Sequence, residues 1–329
     1  MIDQTDDYYR RHLLFHEFVH CFMTCESGMQ GIPPLWYIEG MAEYFATHRL
    51  VLDDHSTARA EFGILPNRFE GFEGWGRISE IKRQFAQESD SPSSVLSIPP
   101  LPDVMPDTVA VFKEDDQYAA SWALCWLLQT HPKYKAAFEP LKNLRRRDEF
   151  IHGSTAIRDE VEDQLSIDWL LTAEDLEEGF DPELSFPVHG VVHLDPASPN
   201  SGDAHEFNLQ ANRGWQDTGL RVAGGDSVRI TCGGRFSVND TPKPWISEPQ
   251  GVSIEYHRGH PLGMVVGIWV SADGMRISRR VPIGGAADVT APFDGSLWVQ
   301  VNDSSSSRDN NDGIVEVLLN RAPSKRLQP

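Results

Sequence analysis

Residues 16–20 read His-Glu-Phe-Val-His. On a helix, positions i and i+4 share a face, so His16 and His20 can present two imidazoles to one ion. Glu17 lies beside that face, where it can exchange a proton with water at the ion without ligating it. Eighteen residues separate His20 from Glu39, in the run WYIEGMAEYF (36–45), and Glu43 follows Glu39 by one helical turn. Two histidines and a carboxylate form a three-ligand zinc set with the fourth position open. Zinc there lowers the pKa of its water toward ~7. Glu17 takes the released proton and later passes it to a leaving amine. Glu43 is placed to accept from the far nitrogen of a ligand imidazole, which fixes the tautomer. His12 lies on the same face and reads as a neighbour of the site, not a ligand.

Helices must carry these groups. Residues 7–23 contain no Gly or Pro and read as one helix; 35–50 read as a second, after Pro33-Pro34. Further helices are expected over 75–88, 116–131, 133–147 and 156–179. The Pro/Ser-rich stretch 89–106 reads as an extended loop. After Phe186 the texture changes to short strand-like runs, SVRITC (227–232), GMVVGIWVS (263–271), SLWVQV (296–301) and IVEVLL (314–319), punctuated by Gly, Pro, Asn and Asp. That is the pattern of a β-sandwich or jelly roll.

HEFVH, eighteen residues and then EGMAEYF resembles the gluzincin metallopeptidases, the aminopeptidase N type above all. The resemblance continues in QYAASWALCWLLQTHPKYKAAFEPLKNL (117–144). It implies a zinc peptidase acting on peptide or protein substrates, with zinc on His16, His20 and Glu39 and with Glu17 as general base. It also implies that Tyr118 donates a hydrogen bond to the oxyanion, a role that suits a phenol. Gluzincins place a β-sheet before the HExxH helix, yet only fifteen residues precede His16 here. Two readings stay open: a start upstream of Met1, with extracytoplasmic or secreted placement, or a scaffold without a substrate-binding floor.

Between two strand-like runs, residues 300–313 read QVNDSSSSRDNNDG. Asp303, Ser305, Ser307, Asp309, Asn310 and Asn311 offer hard oxygen ligands, the kind calcium takes. Arg308 stands where an EF-hand needs Gly. WQDTGLRVAGGDSVRITCGGRF (215–236), HPLGMVVGIW (260–269) and APFDGSLWVQVNDSSSSRDNNDG (291–313) are similar to the PA-I-type galactophilic lectins, small calcium-dependent jelly rolls. The resemblance implies calcium on Asp303, Ser307, Asn310 and Asn311, with a backbone carbonyl near Val238, and galactose-like glycans completing the shell. His257 or His260 is expected near the sugar. Ser307 replaces the usual Thr, and Arg308 and Asp309 replace smaller or aromatic residues, so the sugar pocket is expected to differ.

The expected architecture is multidomain α+β. A helical metallopeptidase-like domain (1–182) lacks the usual upstream sheet; a linker (183–186), an all-β jelly-roll or galactose-binding-like sandwich (187–323) and a tail (324–329) follow. The alternative to hydrolysis is a non-catalytic carbohydrate- or surface-binding protein on a truncated metallopeptidase scaffold. Charge agrees with two parts. Of 329 residues, 29 are Lys or Arg and 49 Asp or Glu, a net −20. Residues 1–186 hold 16 basic and 34 acidic residues, net −18; the rest hold 13 and 15, net −2. So acidic a chain is a poor binder of nucleic acid or anionic membrane, and no run of ~18 apolar residues spans a bilayer. Four cysteines, Cys21, Cys25, Cys125 and Cys232, with no CxxC pair, make no disulfide scaffold.

Overall fold

A computed structural model describes residues 7–26, 33–52, 57–67, 76–86, 95–96, 98–106, 115–143, 147–190, 205–239, 241 and 243–321. The chain is mixed α and β, with helices and several antiparallel sheets. It divides into two compact units.

The first unit comprises residues 1–87, 99–169 and 178–180. Helix α1 (Asp7–Cys21) buries Tyr8, His12 and His16, a stripe at i, i+4 and i+8, and closes in a π-turn over Phe22–Glu26. Its other side leaves Leu14, Phe18 and Phe22 exposed. Helix α2 (Leu35–Ala46) packs against α1. It ends sooner than its unbroken pattern suggests. Thr47 turns to an extended conformation, and its N–H and hydroxyl both donate to the Glu43 carbonyl at 3.0 Å. The chain then forms an antiparallel hairpin, β1 (His48–Leu52) with β2 (Ala58–Phe62), where helix was expected up to residue 50. Helix α3 (Arg77–Ala86) follows, then a short α4 (Leu101–Val104) inside the stretch read as loop. Helix α5 (Asp115–Thr130) packs on α2 and α3. Gly40 permits the α2 contact: a Cβ there would lie 2.5 Å from the Ser121 carbonyl oxygen and 2.6 Å from Cys125 Sγ. Helix α6 (Pro132–Phe138) runs into a 3-10 turn (Glu139–Asn143). Helix α7 (Arg147–Asp175) begins nine residues before the expected start at 156.

The second unit comprises residues 88–98, 170–177 and 181–329. It therefore takes the last turns of α7, which the sequence reading assigned to residues 1–182. The reason lies in the side chains of those turns, described below. After a short α8 (Pro182–Ser185) come the strands: β3 (His205–Gln210), β4 (Gln216–Val222), β5 (Ser227–Gly233), β6 (Phe236–Ser237), β7 (Ile246–Ser247), β8 (Gln250–His257), β9 (His260–Ser271), β10 (Val281–Pro282), β11 (Ala286–Thr290), β12 (Gly295–Val301) and β13 (Ile314–Arg321). One antiparallel sheet runs β10-β9-β12-β4, with β8 also paired to β9; a second runs β11-β5-β13-β3. The inward residues of both sheets share one core: Val228, Ile230, Val315 and Val317 from one, Leu220, Val265, Trp269, Leu297 and Val299 from the other. This is a sandwich, with strand periodicity feeding its core at every second position.

Candidate functional site

In the first unit, α1 and α2 bring His16, His20 and Glu39 together. His16 Nε2 lies 3.3 Å from Glu39 Oε2, His20 Nε2 lies 3.4 Å from the same oxygen, and the two Nε2 atoms are 3.0 Å apart. Ligand atoms of a tetrahedral zinc with bonds of ~2.0–2.1 Å sit ~3.3–3.4 Å apart. The observed triangle has the dimensions of one face of that tetrahedron, so the residues fit the ion. His16 and Glu39 are well covered, while Glu17 is exposed on α1.

Glu43 stands behind His16. Its Oε1 lies 3.2 Å from His16 Nδ1, and its Oε2 lies 3.4 Å from His12 Nε2. His12, expected beside the site, meets Glu43 and not the triangle of ligand atoms. A group the sequence did not single out closes this side: Arg77 of α3 donates from Nε to Glu43 Oε2 (3.0 Å) and from Nη2 to Glu43 Oε1 (2.9 Å). The Arg77 guanidinium also lies 5.5 Å from the centroid of the Tyr118 ring. That places Tyr118, on α5, next to the arginine that grips Glu43. No spacing rule ties Arg77 to the motif, because its partner is 34 residues away on another helix.

The electrostatics follow from this geometry. Burial disfavours the charged His16 imidazole, but contacts with Glu39 and Glu43 outweigh it and lift its pKa to about 9. Burial raises Glu39, and hydrogen bonds from His16 and His20 more than reverse this, to about 2. Burial likewise opposes ionisation of Glu43, yet His12, His16 and Arg77 hold it well below the usual range. The two carboxylates therefore favour a cation at this position, and a metal ion binding there competes with protons for the imidazole nitrogens.

In the second unit, the loop after β12 holds Asp303, Ser307, Asn310 and Asn311. Asp303 is 4 % exposed; its Oδ1 accepts from Ser304 N at 2.6 Å. Asp303 Oδ2, Asn310 Oδ1 and Asn311 Oδ1 are buried with no hydrogen-bond partner among the described residues. Burial pushes the Asp303 carboxyl up to about 6, against smaller opposing effects of Asn311 and the Ser304 N–H. Three orphaned, buried oxygen acceptors in one loop fit a hard cation. Ser237 exchanges two backbone hydrogen bonds with Asp312 (2.9 and 3.1 Å), which sets Val238 alongside the end of the loop. Asn302 ties the loop to the β8–β9 turn: its Nδ2 donates to the carbonyls of His257, His260 and Pro261 at 2.9–3.1 Å. The His257 ring itself faces Glu177 at 3.8 Å, and burial drives it down to about 4.

The end of α7 is pinned to the same unit by charge. Glu174 takes both Nε (2.7 Å) and Nη2 (2.9 Å) of Arg280, and Asp175 takes the fully buried Arg308 at 2.6 Å. Glu177 Oε1 accepts from Ser304 Oγ and Ser305 N, each at 2.5 Å. Arg308, whose position suggested an altered sugar pocket, is thus an internal ion-pair partner.

No family model matches the chain, and no curated protein matches it. Among solved structures, the chain is similar to the N-terminal domain of EclA, described as a PllA-like lectin. That match has 17 % identity and a TM-score of 0.29, covering 36 % of this chain and 95 % of that one. It is also similar to PliG of Aeromonas hydrophila, a periplasmic inhibitor of g-type lysozyme. There the identity is 10 % and the TM-score 0.22, covering 41 % of this chain and 99 % of that one. Among the described residues, no helix is long and apolar enough to cross a membrane.

Proposed function

We propose that the second unit is a calcium-dependent carbohydrate-binding module. The observation that carries this reading is the set of buried, unpartnered oxygens on Asp303, Asn310 and Asn311. A buried acceptor left unmade costs ~1–3 kcal/mol, and a calcium ion satisfies several at once. Asp303, Ser307, Asn310 and Asn311 would hold it, with the Val238 carbonyl at the loop's edge. Calcium supplies positive charge and open coordination for vicinal sugar hydroxyls. The spacing of these residues, similar to that of the galactophilic lectins, supports galactose-like glycans as ligands. The test is retention of the full chain on immobilised galactose and on a glycan array, in calcium and in chelator. Calcium-dependent retention that Asp303→Asn removes is expected; equal behaviour in both buffers would refute the reading.

A second reading is supported by the His16–His20–Glu39 triangle: the first unit is a zinc-dependent hydrolase of peptide bonds. Zinc supplies Lewis acidity and a nucleophile at neutral pH. Glu17, exposed beside the ligands, would accept and return a proton at its carboxylate, and Tyr118 would donate a hydrogen bond to developing negative charge. Cleavage of a casein or mixed-peptide substrate, lost in Glu17→Gln with zinc content unchanged, would establish it. Zinc binding with no cleavage of any peptide would leave the chain a binding protein.

A further inference from the structure

Arg77 belongs to none of the motifs above, yet it is the most connected cation of the first unit's metal-binding face. Both Glu43 oxygens receive one Arg77 N–H each, at 2.9 and 3.0 Å. Its remaining Nη1 donates to Glu80 Oε2 at 2.9 Å, three residues along α3. The arginine is therefore fixed by its own helix turn before it reaches Glu43. Glu43 Oε1, the oxygen gripped by Arg77 Nη2, is also the one 3.2 Å from His16 Nδ1. A carboxylate 3.2 Å from Nδ1 stands as an ion-pair neighbour on the far side of the imidazole, leaving Nε2 as the nitrogen that faces Glu39 and His20.

We propose that Arg77 is a positioning residue for the His16–His20–Glu39 site, acting through Glu43. This rests on the zinc reading of that site. Glu43 is 2 % exposed, and a buried carboxylate holds one orientation only when its oxygens are satisfied. A planar, two-pronged guanidinium does this, whereas a single ammonium cannot satisfy both oxygens at once. The chain of contacts runs from Glu80 to Arg77 to Glu43 to His16, across three helices, and ends on Nδ1, the far nitrogen of a ligand imidazole.

The experiment is a double-mutant cycle on the full chain, read as zinc dissociation constants from chelator competition. Arg77→Met should weaken zinc ~10–100-fold, as loss of a ligand's hydrogen-bond partner does elsewhere. Glu43→Gln should weaken it similarly. The double variant should be no weaker than Glu43→Gln alone, within about twofold. Arg77→Lys should fall between wild type and Arg77→Met. Arg77→Met strands a buried carboxylate and can unfold the protein. The double variant carries neither charge, so its comparison with Glu43→Gln remains decisive. Unchanged zinc affinity in Arg77→Met would overturn the assignment. So would an equal loss with and without Glu43, which would mean that Arg77 acts through the fold at large. A wild-type chain that binds no zinc would sink the zinc reading itself and this assignment with it.

Discussion

Asp303→Asn should produce two effects of opposite sign. In the ion-free fold, burial holds the Asp303 carboxyl up to about 6 against an ordinary 3.8. Ionising it at pH 7.5 therefore costs the fold on the order of 3 kcal/mol. Asparagine keeps an acceptor for Ser304 N and removes that cost, so in chelator the variant should melt above wild type. In calcium the order reverses. At a hundredfold excess over Kd, calcium stabilises the wild type by ~2.7 kcal/mol. With an unfolding entropy of ~2.1 cal/mol/K per residue over about 150 residues, that is a shift of about 9 °C. The variant, lacking the only carboxylate among the assigned calcium ligands, should shift by no more than ~2 °C. Differential scanning calorimetry of the full chain reads both effects. The pH dependence has a fixed sign. A carboxyl with a raised folded pKa penalises the fold above that pKa, and the penalty fades as pH falls through 6. The gap between variant and wild type in chelator should therefore narrow from pH 7.5 to 5. His257 and the other buried acids titrate in both proteins and cancel in the difference. Coincident wild-type melts with and without calcium would refute the cation site, and a full calcium shift in Asp303→Asn would refute its ligand set.

Three further outcomes are expected. Purified chain should carry about one equivalent of zinc, measured by elemental analysis, and His16→Ala or His20→Ala should lose it. Gly40→Ala should destabilise the first unit by ~1–3 kcal/mol in urea melts, since its Cβ would press on the Ser121 carbonyl and Cys125; it should weaken zinc as well, because Glu39 is its neighbour. A fragment covering 170–323 should melt cooperatively and well above one covering 187–323, which loses Glu174 and Asp175 and leaves Arg280 and Arg308 buried without them; breaking a buried pair this way costs ~3–5 kcal/mol.

What the sequence showed of the metal face is what helical geometry alone positions. His16 and His20 are one turn apart, as are Glu39 and Glu43, so each half-site is a local fact. Joining the halves needs α1 against α2, for which the buried stripe Tyr8, His12 and His16 is the sequence trace. Arg77 left no trace, since its value lies wholly in a contact between α3 and α2. The β1–β2 hairpin was hidden for a different reason. Between Leu35 and Leu50 the one helix-weakening residue, Gly40, sits mid-helix and not at the break; the Thr47 hydroxyl bonds the Glu43 carbonyl as threonine also does inside continuing helices, so it gives no warning.

The boundary between the units shows where periodicity stops being informative. Helix α7 is continuous from Arg147 to Asp175, and no Gly, Pro or polar cluster marks residue 170. Its side chains nonetheless change allegiance there. Asp168 accepts from the Tyr134 hydroxyl at 2.5 Å within the first unit, while Glu174 and Asp175 serve Arg280 and Arg308 of the second. Backbone hydrogen bonds cross that point unchanged, so a reading based on helix signals cannot find it. A reading based on charge could come closer. The Arg308 side chain is fully buried and that of Arg280 is 7 % exposed, both on strand-rich segments, and a buried arginine demands a carboxylate. Among the described residues of 205–321 the buried acids are Asp217, held by Arg221 at 2.8 Å, and Asp303, in the loop after β12. The carboxylates that meet Arg280 and Arg308 come instead from the acidic run at 174–178, just before the sandwich sequence.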